Sequence, residues 1–513
     1  PGVLVRASPP VKFRAWWCLR IIRSMAPVVS GACSRPPSGL DGRPQPQQVR
    51  LPHVTGIRTL LALWIVCGHY LAREPATYFD AVACRSFMAV DVFVVMSGFV
   101  THWSYSGRFA SGTLGVTRFY IQRLVPILVT TYVAMLASLA ITFAVPALRE
   151  GVLPGFFGLF GCFTFTIHWV NPEAWCPAPP SWTIEALIPC WLLYPLWRRA
   201  LAGAERRLGS LGLVGCAAGL WLLSFGPVLA VFVAQDLRLN WGQFATDFLW
   251  PPSQLADFAI GSAAAALALR RLRAEAVEQP GKDISVGDAS SSSSDSAEAP
   301  GRKVLGAGRL GLGLFADLAL ALPVLAVFDL APPATHAACQ TDWNALLAHA
   351  FAPCIAAWLF ASAAAAGAGE DGGGGARRGS GGTGGGLAAR AMGHPFLVSL
   401  GAYSFEAYLF QWPLVWLFRL AFGEWPLSCE VFMTFALTLW LVSGLYVELL
   451  APPLVRRARA VVEALLDRGG SSHQPLYTGL GADSPESACF SSPLSPPAEP
   501  APAGSWSRPG DWL

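Results

Sequence analysis

The chain has 513 residues, of which 53% are hydrophobic and only 13% charged, about half the charge of an average soluble domain. With a mean hydropathy of +0.45, that much apolar surface excludes a soluble globular protein and calls for a lipid bilayer as the partner solvent. The net charge of +4 comes almost wholly from arginine, and its placement in loops speaks of membrane orientation and not of a nucleic-acid partner.

Residues 1–50 hold many arginines and prolines but a single acid, Asp41, and read as a disordered basic segment. Apolar stretches long enough to cross a bilayer follow at 57–72, 87–105, 121–145, 183–198, 210–234, 246–269, 306–330, 344–367, 396–420 and 428–450. Closed barrels are excluded by span length, so the fold class is all-α: a polytopic transmembrane helix bundle of about ten spans. A further apolar run at 154–170 is short, contains three glycines and His168, and is bounded by prolines. Left on one side as a re-entrant or interfacial segment, it places Arg50, Arg108, Arg118, Arg123, Arg198 through Arg207, Arg270 through Arg273, Arg377, Arg378 and Arg456 through Arg459 on a common face. Arg73 and Arg85 remain opposite. The positive-inside rule then puts both termini in the cytoplasm, in the plasma membrane or an endomembrane. Compositional bias marks 274–304 and 368–390 as low-complexity loops and 468–513 as a disordered Pro/Ser-rich tail.

The cysteines show no metal-ligand spacing, and no metal site is expected. Cys67, Cys190 and Cys216 sit in apolar helices as small buried groups. Cys84, Cys176, Cys339 and Cys429 fall at or near non-cytoplasmic loops, where a disulfide among them is possible but cannot be assigned.

Against this apolar background, ionisable residues inside a span are costly and call for a function. Arg58 and His69 lie in one stretch, GIRTLLALWIVCGHYLA, with ten residues between them. Eleven steps bring them within roughly 20° of one helical face and about 16 Å apart along the axis. One cation would thus stand near a membrane surface and the imidazole near mid-bilayer. Asp91 begins the second span, and Gly98 returns to nearly the same face about 10 Å further on.

That Arg/His pair is followed by AVDVFVVMSGFV at 89–100, FYIQRLVPIL at 119–128, PSWTIEALIPCWLLYPLW at 180–197, PPSQLADFAIGSAAA at 251–265 and SLGAYSFEAYLFQWPLVWLF at 399–418. In this order the segments resemble the acyltransferase 3 family of membrane-bound O-acyltransferases, over about residues 54–459. The resemblance implies transfer of an acyl group, commonly acetyl, from acyl-CoA to a hydroxyl of a carbohydrate or lipid-linked acceptor. The donor would be a cosubstrate, with no tightly bound cofactor, and the other partner would be the lipid bilayer. Oligomeric state is left open.

The same resemblance singles out Arg58 and His69 as the pair most important for activity. Neutral histidine suits proton transfer from an attacking hydroxyl, and Arg58 suits a CoA phosphate. Asp91 is expected to orient the imidazole or to pair with an arginine. Ser97 and Gly98 would admit another helix or the thioester closely, and Arg123 would meet CoA. Trp182 is followed by Glu185, whereas the family's usual acid position, five residues after the tryptophan, holds Leu187. Two residues turn a helix by about 200°, so Glu185 serves as an active-site acid only if the helix start, flanked by Pro179, Pro180 and Pro189, shifts its register. Gln411 stands where many relatives have histidine and can only hydrogen-bond. Glu406, one turn before it, needs a partner. Two other classes remain: a proton-coupled multi-pass transporter, which the intramembrane His69, Asp91 and Glu185 would also suit, and a catalytically silent acyl-CoA-binding homologue.

Overall fold

The structure is a computed structural model that describes residues 51–71, 82–83, 85–145, 155–171, 174–226, 229–230, 233, 248–277, 300–329, 349–367, 386–423 and 427–470. The 1–50 segment, the serine run in 274–304, residues 368–385 and 471–513, and with them Arg50, Arg73, Arg377, Arg378, Cys84 and Cys339, lie outside the described residues. Every element longer than an isolated bridge is helical among those described. In chain order these are α1 (Pro52–Tyr70), α2 (Phe87–Ala110), α3 (Val116–Ala144), α4 (Phe156–Thr164), α5 (Ile167–Val170), α6 (Trp182–Ser224), α7 (Leu255–Val277), α8 (Pro300–Asp329), α9 (Ala352–Gly367), α10 (Gly386–Met392), α11 (Pro395–Gly401), α12 (Ser404–Phe422), α13 (Cys429–Leu445) and α14 (Ala451–Gly470). A π-helical turn, Tyr446–Leu450, joins the last two.

Among the described residues, five helices are long and apolar enough to cross a membrane: Phe87–Ala110, Val116–Ala144, Pro179–Ser224, Leu310–Val327 and Cys429–Asp467. The sequence suggested about ten spans, and that count is not supported by length and composition. The physical reason is visible in the helices that fall short. α1 carries Arg58, α7 carries Asp257, Arg270 and Arg271, and α12 carries Glu406 and Arg419, and each ionisable group lowers the mean hydropathy of its helix. Arg58 and Asp257 are buried against neighbouring helices, where apolarity is not required as it is against lipid.

α2 is the central helix. It packs on α7, α1, α9 and α6, and 67% of its apolar window is buried against 28% for α3. Its crossing with α7 is made by two glycines: a Cβ on Gly98 would run into the Phe258 carbonyl, and one on Gly261 into the Val95 carbonyl. Ser262 Oγ donates to Gly98 O at 3.1 Å across this contact. The sequence placed a break between 183–198 and 210–234, and it falls at Gly209, where φ is 62° inside an otherwise helical 43-residue run. That backbone region strains residues with a β-carbon.

The apolar run at 154–170 folds as α4 and α5, reversed at Phe165 in a left-handed conformation (φ 55°). A disulfide between Cys162 and Cys176 closes this hairpin, so Cys176 pairs with a cysteine that the sequence had not brought forward. Cys429 is free and exposed. Tyr132 of α3 holds the hairpin from below: its hydroxyl donates to Phe163 O at 2.9 Å, and its ring stacks on Phe163. Phe156, Phe157 and Phe160 stay exposed, as suits an aromatic edge at a membrane interface. Closing a loop of this length is worth about 3 kcal/mol in the chain-entropy account. Replacing both cysteines by serine should therefore lower the unfolding midpoint measured in detergent, and reductant should lower the wild-type midpoint equally. An unchanged midpoint in both would show that the bridge does not constrain the fold.

Candidate functional site

One cluster forms where α2, α3 and α6 meet. Ser97 Oγ accepts a hydrogen bond from Arg123 Nη2 and another from Trp191 Nε1, both at 3.3 Å. The Arg123 guanidinium lies over the Trp191 ring, 5.0 Å from its centroid, within cation–π range. Arg123 is only 6% exposed, yet its Nε is buried with no hydrogen-bond partner. From α1, Arg58, 8% exposed, feels the attraction of Glu406 on α12 and the repulsion of Arg123. Two buried cations thus lie within each other's field while Glu406 offsets that of Arg58, and an unsatisfied donor on Arg123 points to an anion with oxygen acceptors.

The expected residues are distributed as follows. α1 begins at Pro52 and ends at Tyr70, so His69 occupies its last turn. Its imidazole is exposed and meets the Tyr70 ring edge-on at 5.6 Å. Tyr70 is itself buried between Phe435 and Trp412, and its carbonyl accepts from Leu427 N at 2.8 Å, which pins the helix end. Asp91 is buried near the start of α2. Gly98 faces the α7 backbone, so of the two close approaches that the sequence allowed, the structure shows the helix. Trp182 opens α6 with its ring 5.0 Å from Phe248. On α12, Gln411 Nε2 donates to Tyr408 O at 2.7 Å, its Oε1 is buried without a partner, and the Tyr408 hydroxyl hydrogen-bonds Thr183.

Glu185 lies in the first turn of α6, after a 3-10 turn at Pro179–Ser181, and is 2% exposed. Its carboxylate does not go to His69. One oxygen accepts from His168 N at 2.8 Å and the other from His168 Nδ1 at 2.7 Å. His168, on α5, is 3% exposed. Sequence reasoning gave it no role, although a histidine in an apolar run was the available signal. Trp191 was likewise passed over, since a tryptophan in a span is ordinarily packing. Elsewhere, Tyr403 donates to Glu448 Oε1 at 3.1 Å, tying α12 to the π-helical turn.

The family model for an acyltransferase domain, acyltransferase 3, matches residues 52–447. The chain therefore belongs to this acyltransferase family, and with its apolar helices it is an integral membrane protein. Acyltransferase MdmB of Streptomyces mycarofaciens is 28% identical over 242 residues, which make up 42% of this chain and 57% of that protein. The chain thus matches little more than half the length of that relative. No solved structure matches the chain.

Proposed function

We propose that this protein is a membrane-bound O-acyltransferase that moves an acyl group, acetyl in the simplest case, from acyl-CoA to a hydroxyl of a carbohydrate or lipid-linked acceptor. The observation that carries this reading is the buried guanidinium of Arg123, with Nε unpartnered and within the field of a second buried cation, Arg58. Phosphate or thioester oxygens of the donor would complete that set by charge-assisted hydrogen bonds. Ser97 and Trp191 hold Arg123 in place. His69, exposed at its helix end, would take the proton of the attacking hydroxyl. The ends of α2 and α7 that carry Arg108, Arg270 and Arg273 lie together with the stretch of α6 before Gly209 that carries Arg198 and Glu205. Arg198 stands over Phe109 at 4.9 Å, and Arg270 and Arg273 both reach Glu205. This supports a cytoplasmic face on that side, from which CoA would enter.

The test is purified protein incubated with acetyl-labelled acetyl-CoA and hydroxyl acceptors, reading CoA release and ester formation. Arg123→Ala should raise the KM for acetyl-CoA by about 10- to 100-fold, as expected for charge-assisted hydrogen bonds. Solute flux across vesicles without thioester consumption would overturn the reading in favour of a transporter. Donor binding without turnover would identify a silent homologue.

A further inference from the structure

The buried pair of His168 and Glu185 has no task in the chemistry above. Glu185 uses both oxygens on one residue, holding the ring through Nδ1 and the main chain through the amide of His168. A carboxylate can only accept, so Nδ1 carries a proton, and in the neutral imidazole Nε2 then presents a lone pair. No hydrogen bond engages that Nε2 among the described residues. Such a clasp fixes the tautomer and the direction of an imidazole that is to meet something else. The hairpin carrying it is tied by the Cys162–Cys176 disulfide and by Tyr132. At its rim Trp169 and Trp175 are 44% and 58% exposed, and Trp175 packs on Trp412 at 5.9 Å. α12, which carries the unpartnered Oε1 of Gln411, packs against residues 179–181, just before Glu185. Along α6, Glu185 lies six residues, about 9 Å, from Trp191 of the arginine cluster.

We propose that His168, oriented by Glu185, is an acceptor-binding residue: its Nε2 accepts a hydrogen bond from a hydroxyl of the acceptor other than the one that is acylated. The acceptor is then polyhydroxylated, and the exposed tryptophans offer apolar faces to its ring. This inference rests on the acyl-transfer reading and narrows its acceptor.

The experiment uses the full chain in lipid nanodiscs with acetyl-CoA and two probe acceptors, methyl glucoside and 1-octanol, the second having no additional hydroxyl to bind. His168→Ala and Glu185→Gln should each raise the KM for methyl glucoside about tenfold, the loss expected for one hydrogen bond. The KM for acetyl-CoA and the rate with octanol should not move. His168→Gln, whose side-chain oxygen can still accept, should recover part of the glucoside affinity. An unmoved glucoside KM would overturn the proposal. So would a parallel loss with both acceptors, which marks a merely structural pair, or wild-type transfer to octanol alone. Wild-type protein that releases no CoA with either acceptor would bring down the acyl-transfer reading itself.

Discussion

His69→Ala is expected to lower kcat for acyl transfer by about 10²- to 10⁴-fold, the usual contribution of a general base, with little change in stability. The separation of the two effects follows from the position of the residue. The imidazole is exposed in the last turn of α1, so truncating it opens no cavity, and among the contacts it gives up is the edge-on one with Tyr70, worth about 0.5–1.5 kcal/mol. His69→Gln, which hydrogen-bonds but cannot take a proton at neutral pH, should be nearly as inactive. Activity in either variant within a factor of a few of wild type would remove His69 from the chemistry.

Arg58 cannot be read so simply, because it is buried and its charge is coupled to Glu406. Arg58→Ala leaves the Glu406 carboxylate in the bundle without the field of this cation, which is expected to lower stability. Loss of activity there would mix folding with donor binding. The double variant Arg58→Ala with Glu406→Gln should recover the unfolding midpoint but not the affinity for acetyl-CoA, and recovery of both would confine Arg58 to a structural role.

The largest effect on stability is expected from Gly98→Val. At the crossing of α2 and α7 the atom that an added Cβ would meet is a backbone carbonyl, that of Phe258, and a backbone cannot rotate away as a side chain can. The two helices must part, which breaks the hydrogen bond from Ser262 to Gly98 O and loosens the most buried span. Overpacking of a well-filled interior costs about 1–3 kcal/mol or more. Gly107→Ala in the same helix is the control: nothing lies within 4 Å of its added Cβ, and alanine there should be neutral or stabilising by up to about 1 kcal/mol. If Gly98→Ala lost acyl transfer while its midpoint matched that of Gly107→Ala, Gly98 would belong to the donor site and not to the helix crossing.

Several features of this molecule are legible along the chain because they depend on short-range chemistry. The apolar runs announce helices. The polar, glycine-containing gap before residue 210 announces the break at Gly209. The placement of Arg58 and His69 on one helix follows from counting residues. The ordered segments from Arg58 to Pro413 announce the acyltransferase 3 family, which the match over 52–447 confirms. The number of spans read from apolar runs is not confirmed among the described residues. Spans were read wherever apolar residues ran on, yet helices carrying Arg58, Asp257 or Glu406 are too polar to qualify by composition.

The glycine-rich stretch 368–390 shows the limit most plainly. Its composition speaks only for a loop, but α10 begins at Gly386 because Asp317 of α8, seventy residues away, accepts from Leu387 N at 2.7 Å and from Ala388 N at 2.9 Å. The same holds for the site: Ser97 between Arg123 and Trp191, Gly98 against Phe258, and Glu185 clasping His168 are all contacts between helices distant in sequence. Hydropathy and helical period are written into each segment by itself, and so the sequence alone determined the all-helical membrane class, the family and the candidate polar residues. Which of those residues meet depended on the angles and depths at which helices cross, and these are set by mutual packing of side chains from several segments, so only the tertiary structure decided it.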